Sequence, residues 1–61
     1  MIARSLKKIL VVDDEPSVTG SLSLILTEAG FEVLTAQGFA ESTGILKQIP
    51  VDLVITDLRS A

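Results

Sequence analysis

Cysteine and histidine are both absent from the 61 residues. The first absence excludes disulfides and thiolate metal sites. The second removes the commonest transition-metal ligand and the usual general base. Any metal must then be held by oxygen, which points to a hard cation such as Mg²⁺ or Ca²⁺. Aromatic residues are reduced to Phe31 and Phe39, and the only basic run is Lys7-Lys8. That is too little positive charge for a nucleic-acid surface. No apolar stretch approaches the ~20 residues of a membrane helix. The Met1–Lys8 segment also lacks the long apolar region of a signal peptide. The expectation is a soluble, cytoplasmic protein with neither a nucleic-acid nor a membrane partner.

What is present is apolar and mildly acidic: 48% hydrophobic residues and a net charge of −3. That composition is too apolar for a disordered segment. The length allows one small domain, and a chain this short buries only about 60% of the surface its unfolded form exposes.

The periodicity changes several times. Ile9-Leu10-Val11-Val12 is a continuous apolar run, rich in β-branched residues, that suits a strand buried on both faces. Asp13-Asp14-Glu15 ends it, and Pro16 fits the first turn of a helix, where a missing N–H costs nothing. Val18, Leu22, Ile25, Leu26 and Ala29 then follow the spacing of one helical face, with Gly30 placed as the C-terminal cap. Glu32 to Ala36 reads as a second strand. Phe39 to Gln48 reads as a weaker helix, with Phe39, Ile45, Leu46 and Ile49 on or near one face and Pro50 stopping it. Leu53 to Thr56 reads as a third strand with Asp57 at its C-terminal end. Phe31 and Phe39 are expected to pack rather than to contact ligands.

Strands alternating with helices of this length imply a parallel sheet with right-handed crossovers. The first strand is the most apolar, so it belongs in the centre. The expected fold is therefore α/β, β-α-β-α-β, with strand order 2-1-3 and the helices on opposite faces. This order creates a switch point at the C-terminal ends of the first and third strands, where open α/β sheets bind ligands.

Asp13 and Asp14 follow the first strand directly and Asp57 follows the third. If those strands are neighbours, three carboxylates converge. Two unit charges ~4 Å apart repel by about 4 kcal/mol at an effective dielectric of 20. A bound cation or protonation of some members resolves that repulsion. Mg²⁺ held by one or two carboxylates plus waters is the natural solution. A plainer role remains open at this point, because any one of Asp13, Asp14 or Glu15 could simply favour the following helix N-terminus.

The segments ILVVDDEP (Ile9–Pro16), Gly30-Phe31-Glu32-Val33 and VDLVITDL (Val51–Leu58) resemble the receiver domain of bacterial two-component response regulators, a flavodoxin-like fold. The resemblance runs from about Lys8 to Arg59. It implies that Asp57 accepts a phosphoryl group from a histidine kinase, as a carboxylate nucleophile rather than as part of an enzyme. It implies Mg²⁺ held by Asp13 and Asp14, with Asp14 the direct ligand of the two, by Asp57, and by the backbone carbonyl of Arg59.

Residues 1–61 are read as the first half of such a domain. The later strands and helices, with their hydroxyl switch residue and phosphate-binding lysine, have no counterparts here. An open apolar edge at Leu53-Val54-Ile55 is a pairing hazard, so a homo-oligomer through the third strand is expected. Alternatively, the chain is a truncated receiver that self-associates and is incompetent for phosphotransfer. A haloacid-dehalogenase-like phosphatase would need an aspartate two residues after its nucleophile; Asp13 is followed by Asp14, Glu15 and Pro16, so that spacing fails.

Overall fold

The computed structural model describes residues 7–56. Five elements follow in the expected order: β1 (Lys8–Val12), α1 (Pro16–Glu28), β2 (Glu32–Ala36), α2 (Phe39–Gln48) and β3 (Leu53–Thr56). The sheet is β2-β1-β3, and both pairings are parallel. Ile9 pairs with Val33 on one side and with Leu53 on the other; Val12 pairs with Ala36 and Thr56.

The apolar run at β1 takes the centre because only there are both backbone edges and both faces satisfied. Ile9, Leu10 and Val11 are 3%, 0% and 1% exposed although successive side chains point to opposite faces. Both sides of the strand are therefore covered. Its N-terminal end is tied down as well: the Lys8 N–H donates to Asp52 Oδ2 and the Asp52 N–H to the Lys8 carbonyl, each at 2.8 Å. The Lys8–Glu32 ion pair at 3.6 Å is partly exposed and worth little.

Pro16 opens α1, with Glu15 at its N-cap. Gly30, at φ 101°, closes it. The Gly30 N–H donates to the Thr27 carbonyl and the Phe31 N–H to that of Leu26, the paired bonds of a Schellman cap. Nothing lies within 4 Å of a Cβ added at Gly30 or at Gly20, so backbone preference alone decides substitution at either site. Gly30→Ala is expected to cost about 1–2 kcal/mol. Gly20→Ala, in mid-helix, should gain about 1 kcal/mol. Thermal midpoints moving in opposite directions would check the pair.

The helical faces differ from those expected. In α1, Thr19 is buried and Val18, Leu22, Ser23 and Leu26 are half-buried, whereas Leu24 and Ile25 are each 61% exposed and Ala29 is exposed. In α2, Ser42 is buried with Ile45 and Ile49 half-buried, while Phe39 and Leu46 face outward. Two causes act together. The hydroxyls of Thr19 and Ser42 donate to the carbonyls of Pro16 and Phe39, which removes the penalty for burying them. Among the described residues, moreover, α1 and α2 pack only on β1 and β2, and neither packs on β3. A face aimed at a three-stranded platform thus meets two strands, and β3 keeps Leu53 and Val54 about half exposed.

Candidate functional site

The parallel sheet places all three strand C-termini at one end, and the turns that follow them build an open cleft of ≈ 320 Å³. β1 contributes Val12, Asp13 and Asp14; the β2–α2 turn contributes Gln37 and Gly38; α2 adds Phe39 and Ser42; β3 adds Val54 and Thr56. Each wall is set by local chemistry. The Asp13 N–H donates to the Ala36 carbonyl at 3.1 Å, which extends the β1–β2 ladder one residue into the site. Asp13 Oδ1 accepts the Glu15 N–H at 2.9 Å, a short side-chain turn that starts the approach to α1. On the other wall, Glu41 reaches back so that its Oε1 accepts the Gln37 N–H at 3.0 Å.

Asp13 is nearly buried and Asp14 is exposed, so the pair offers one anchored and one solvated carboxylate on the same rim. Val12 and Thr56, which precede Asp13 and Asp57 in the sequence, are register partners. The expected adjacency of the first and third strands is therefore present up to that step. Asp57 and Arg59 lie outside the described residues. Among the described residues no three acidic side chains form a group able to hold a metal ion; two carboxylates, Asp13 and Asp14, border the cleft. The donor chemistry still suits Mg²⁺, which needs only one or two carboxylates and keeps several waters.

The charges of the fold are segregated. Asp13, Asp14 and Glu15 follow β1, and Glu41 stands in the first turn of α2, all at the cleft end. The described lysines sit at the opposite end: Lys7 and Lys8 at the start of β1, and Lys47 in the last turn of α2. There they mix with Glu28, Glu32 and Asp52. The negative charge of the described residues is thus concentrated where the cleft opens.

Phe39 departs from the packing role expected of it. It is 84% exposed and lies on the cleft wall. A signal was available: it directly follows Gly38 in the turn after β2, and that turn opens at the same end as Asp13.

Comparison with known proteins agrees with this architecture. The model of the response regulator receiver domain family matches residues 9–59. The chain is similar to the transcriptional regulatory protein GlrR of Escherichia coli K12, 47% identical over 51 residues, which cover 84% of this chain and 12% of that protein. It is 40% identical over 50 residues to the transcriptional regulatory protein KdpE of Mycobacterium tuberculosis H37Rv, covering 82% and 22%. The chemotaxis response regulator CheY4 of Vibrio cholerae superposes with a TM-score of 0.87 at 33% identity, over 90% of this chain and 46% of that one. The chain thus spans less than a quarter of these curated relatives. With a family match over most of its length, and a parallel 2-1-3 sheet that carries an acid pair after its central strand, the chain belongs to the response regulator receiver domain family.

Proposed function

We propose that this chain is a phospho-acceptor module of a two-component phosphorelay, in which Asp57 takes a phosphoryl group from a histidine kinase. The observation that carries the reading is the Val12–Thr56 pairing, with Asp13, Asp14 and Thr56 bordering one cleft. The residue after Thr56 is Asp57. Its carboxylate is the nucleophile and forms an acyl phosphate. Asp13, Asp14, Asp57 and the Arg59 carbonyl would hold Mg²⁺. When bound, Mg²⁺ supplies positive charge that offsets the negative charge of the phosphoryl group in transfer. Asp13, half of whose carboxylate already holds the Glu15 N–H, fixes the start of α1 relative to the site. The names of GlrR and KdpE as transcriptional regulatory proteins support an output in transcription for a larger protein that carries this module.

Titrating Mg²⁺ into the chain while recording backbone amide NMR spectra tests the cation site. Shifts are expected at Asp13, Asp14 and Asp57 at millimolar metal, reversed by chelator. Unchanged signals at those three positions count against it.

The exposed edge of β3 favours a second reading. Leu53 and Val54 are 52% and 43% exposed on a strand that pairs only with β1 among the described residues. In this reading two copies join through their β3 edges, and the chain is incompetent for phosphotransfer. Acetyl phosphate labelling in the presence of Mg²⁺ separates the two readings.

A further inference from the structure

We propose that Asp52 sets the register of β3 on β1, and through it decides which β3 side chains stand in the cleft. This role is independent of phosphoryl transfer, because Val54 and Thr56 line the cleft whatever is bound there.

Three observations carry it. First, the side chains of β3 hold no register of their own. Leu53 and Ile55 point to one face and Val54 and Thr56 to the other, so a slip of two residues keeps the same alternation. Register is strongly specified where one face of a strand is buried. Leu53 and Val54 are instead about half exposed, and neither α1 nor α2 packs on their strand. β2 needs no separate guide, since both helices pack on it.

Second, Asp52 grips the first residue of β1 twice. Its carboxylate accepts the Lys8 N–H and its own N–H donates to the Lys8 carbonyl, both at 2.8 Å. The grip sits directly before the first register pair, Ile9 with Leu53. A slip of two residues moves β3 by about 7 Å, which breaks both bonds at once.

Third, a change of register would rebuild the cleft. Val12 pairs with Thr56 and Leu10 with Val54, which brings Thr56 and Val54 onto the cleft wall. A slip towards the base of the sheet would draw Thr56 down beside Leu10. A slip the other way would carry the Asp52 carboxylate to the place of Val54, in the cleft that Asp13 and Asp14 already border.

The test is NMR of the 61-residue chain and two variants. Contacts between strands identify the register, and relaxation dispersion at the Leu53–Thr56 amides gives the population of a second one. The parent is expected to show Val12–Thr56 and Leu10–Val54 contacts. In Asp52→Ala a shifted register, marked by Leu10–Thr56 or Val12–Val54 contacts, is expected to gain about fivefold in population, the worth of one hydrogen bond. Asp52→Asn is expected to stay at the parent level, because its amide oxygen can still accept the Lys8 N–H. Both variants should remain folded, since the pairing of β1 with β2 does not involve Asp52. An unchanged population in Asp52→Ala, an equal rise in Asp52→Asn, exchange without a shifted contact, or loss of folding each overturns the inference. None of these outcomes bears on labelling of Asp57, so the phospho-acceptor reading stands or falls separately.

Discussion

Asp57→Asn is expected to bring Mg²⁺-dependent acetyl phosphate labelling down to the level seen without metal. An amide has no anionic oxygen to attack phosphorus, and the sequence offers no histidine or cysteine to take over. In the proposed reading the substitution also removes one charge from beside the end of the molecule that carries Asp13, Asp14, Glu15 and Glu41. Like charges there repel, so thermal stability is expected to hold or rise, and lost labelling then cannot be attributed to unfolding. Asp52→Asn is the matched control. It makes the same charge change at the far end of the sheet, where Asp52 caps the Lys8 N–H. Labelling that survives Asp57→Asn, or disappears in Asp52→Asn, would remove Asp57 from its assigned role.

Val54→Lys is expected to abolish association and folding together if two copies meet along β3. Val54 is 43% exposed and its neighbour Leu53 52%, and neither helix covers their strand. Apolar surface left in water forgoes about 25 cal/mol for each Å². An edge strand also leaves backbone donors and acceptors unpaired. A two-fold pairing of β3 edges would resolve both with a single contact, since closed two-fold dimers are the commonest assembly. Two lysines forced into that contact would carry a desolvation penalty of several kcal/mol each, which a domain this small cannot offset. Sedimentation at several concentrations with parallel circular dichroism is the check. A cooperatively folded monomer, for the variant or for the parent at micromolar concentration, would rule the assembly out.

The elements and their order were legible because each boundary carries its own local chemistry. Pro16 starts α1, Gly30 ends it, Pro50 follows α2, and the β-branched run at Ile9–Val12 is too apolar for anything but a central strand. The sheet order followed from that last feature. The helical faces were less legible. Periodicity gives the spacing of apolar residues but not the platform they meet, and it counts Thr19 and Ser42 as polar. In the fold both bond to a carbonyl of their own helix and turn inward. Ile25 and Leu46 look like core in the sequence and are exposed because neither α1 nor α2 extends over β3. At the site, Asp13 and Asp14 were legible as a pair, whereas the outward ring of Phe39 was not, since two aromatic residues in an apolar chain read by default as packing.

The uneven cover over the sheet has a thermal consequence. β2 is bound to β1 by backbone pairing and is also clamped by both helices, whereas β3 is held by its pairing with β1 and by the Lys8–Asp52 bonds at its base. Joining β1 to β3 closes nearly twice the chain length that joining β1 to β2 does, and doubling a loop adds only about 0.6 kcal/mol. Chain closure therefore does not rank the two strands; packing does. Among the described elements β3 is expected to open most readily, and its amides should exchange with solvent well before those of β1. Asp57 follows that labile strand, while Asp13 and Asp14 follow the most protected one. If Asp57 joins Asp13 and Asp14 as proposed, a cation or partner that bridges the three would act as a latch on β3.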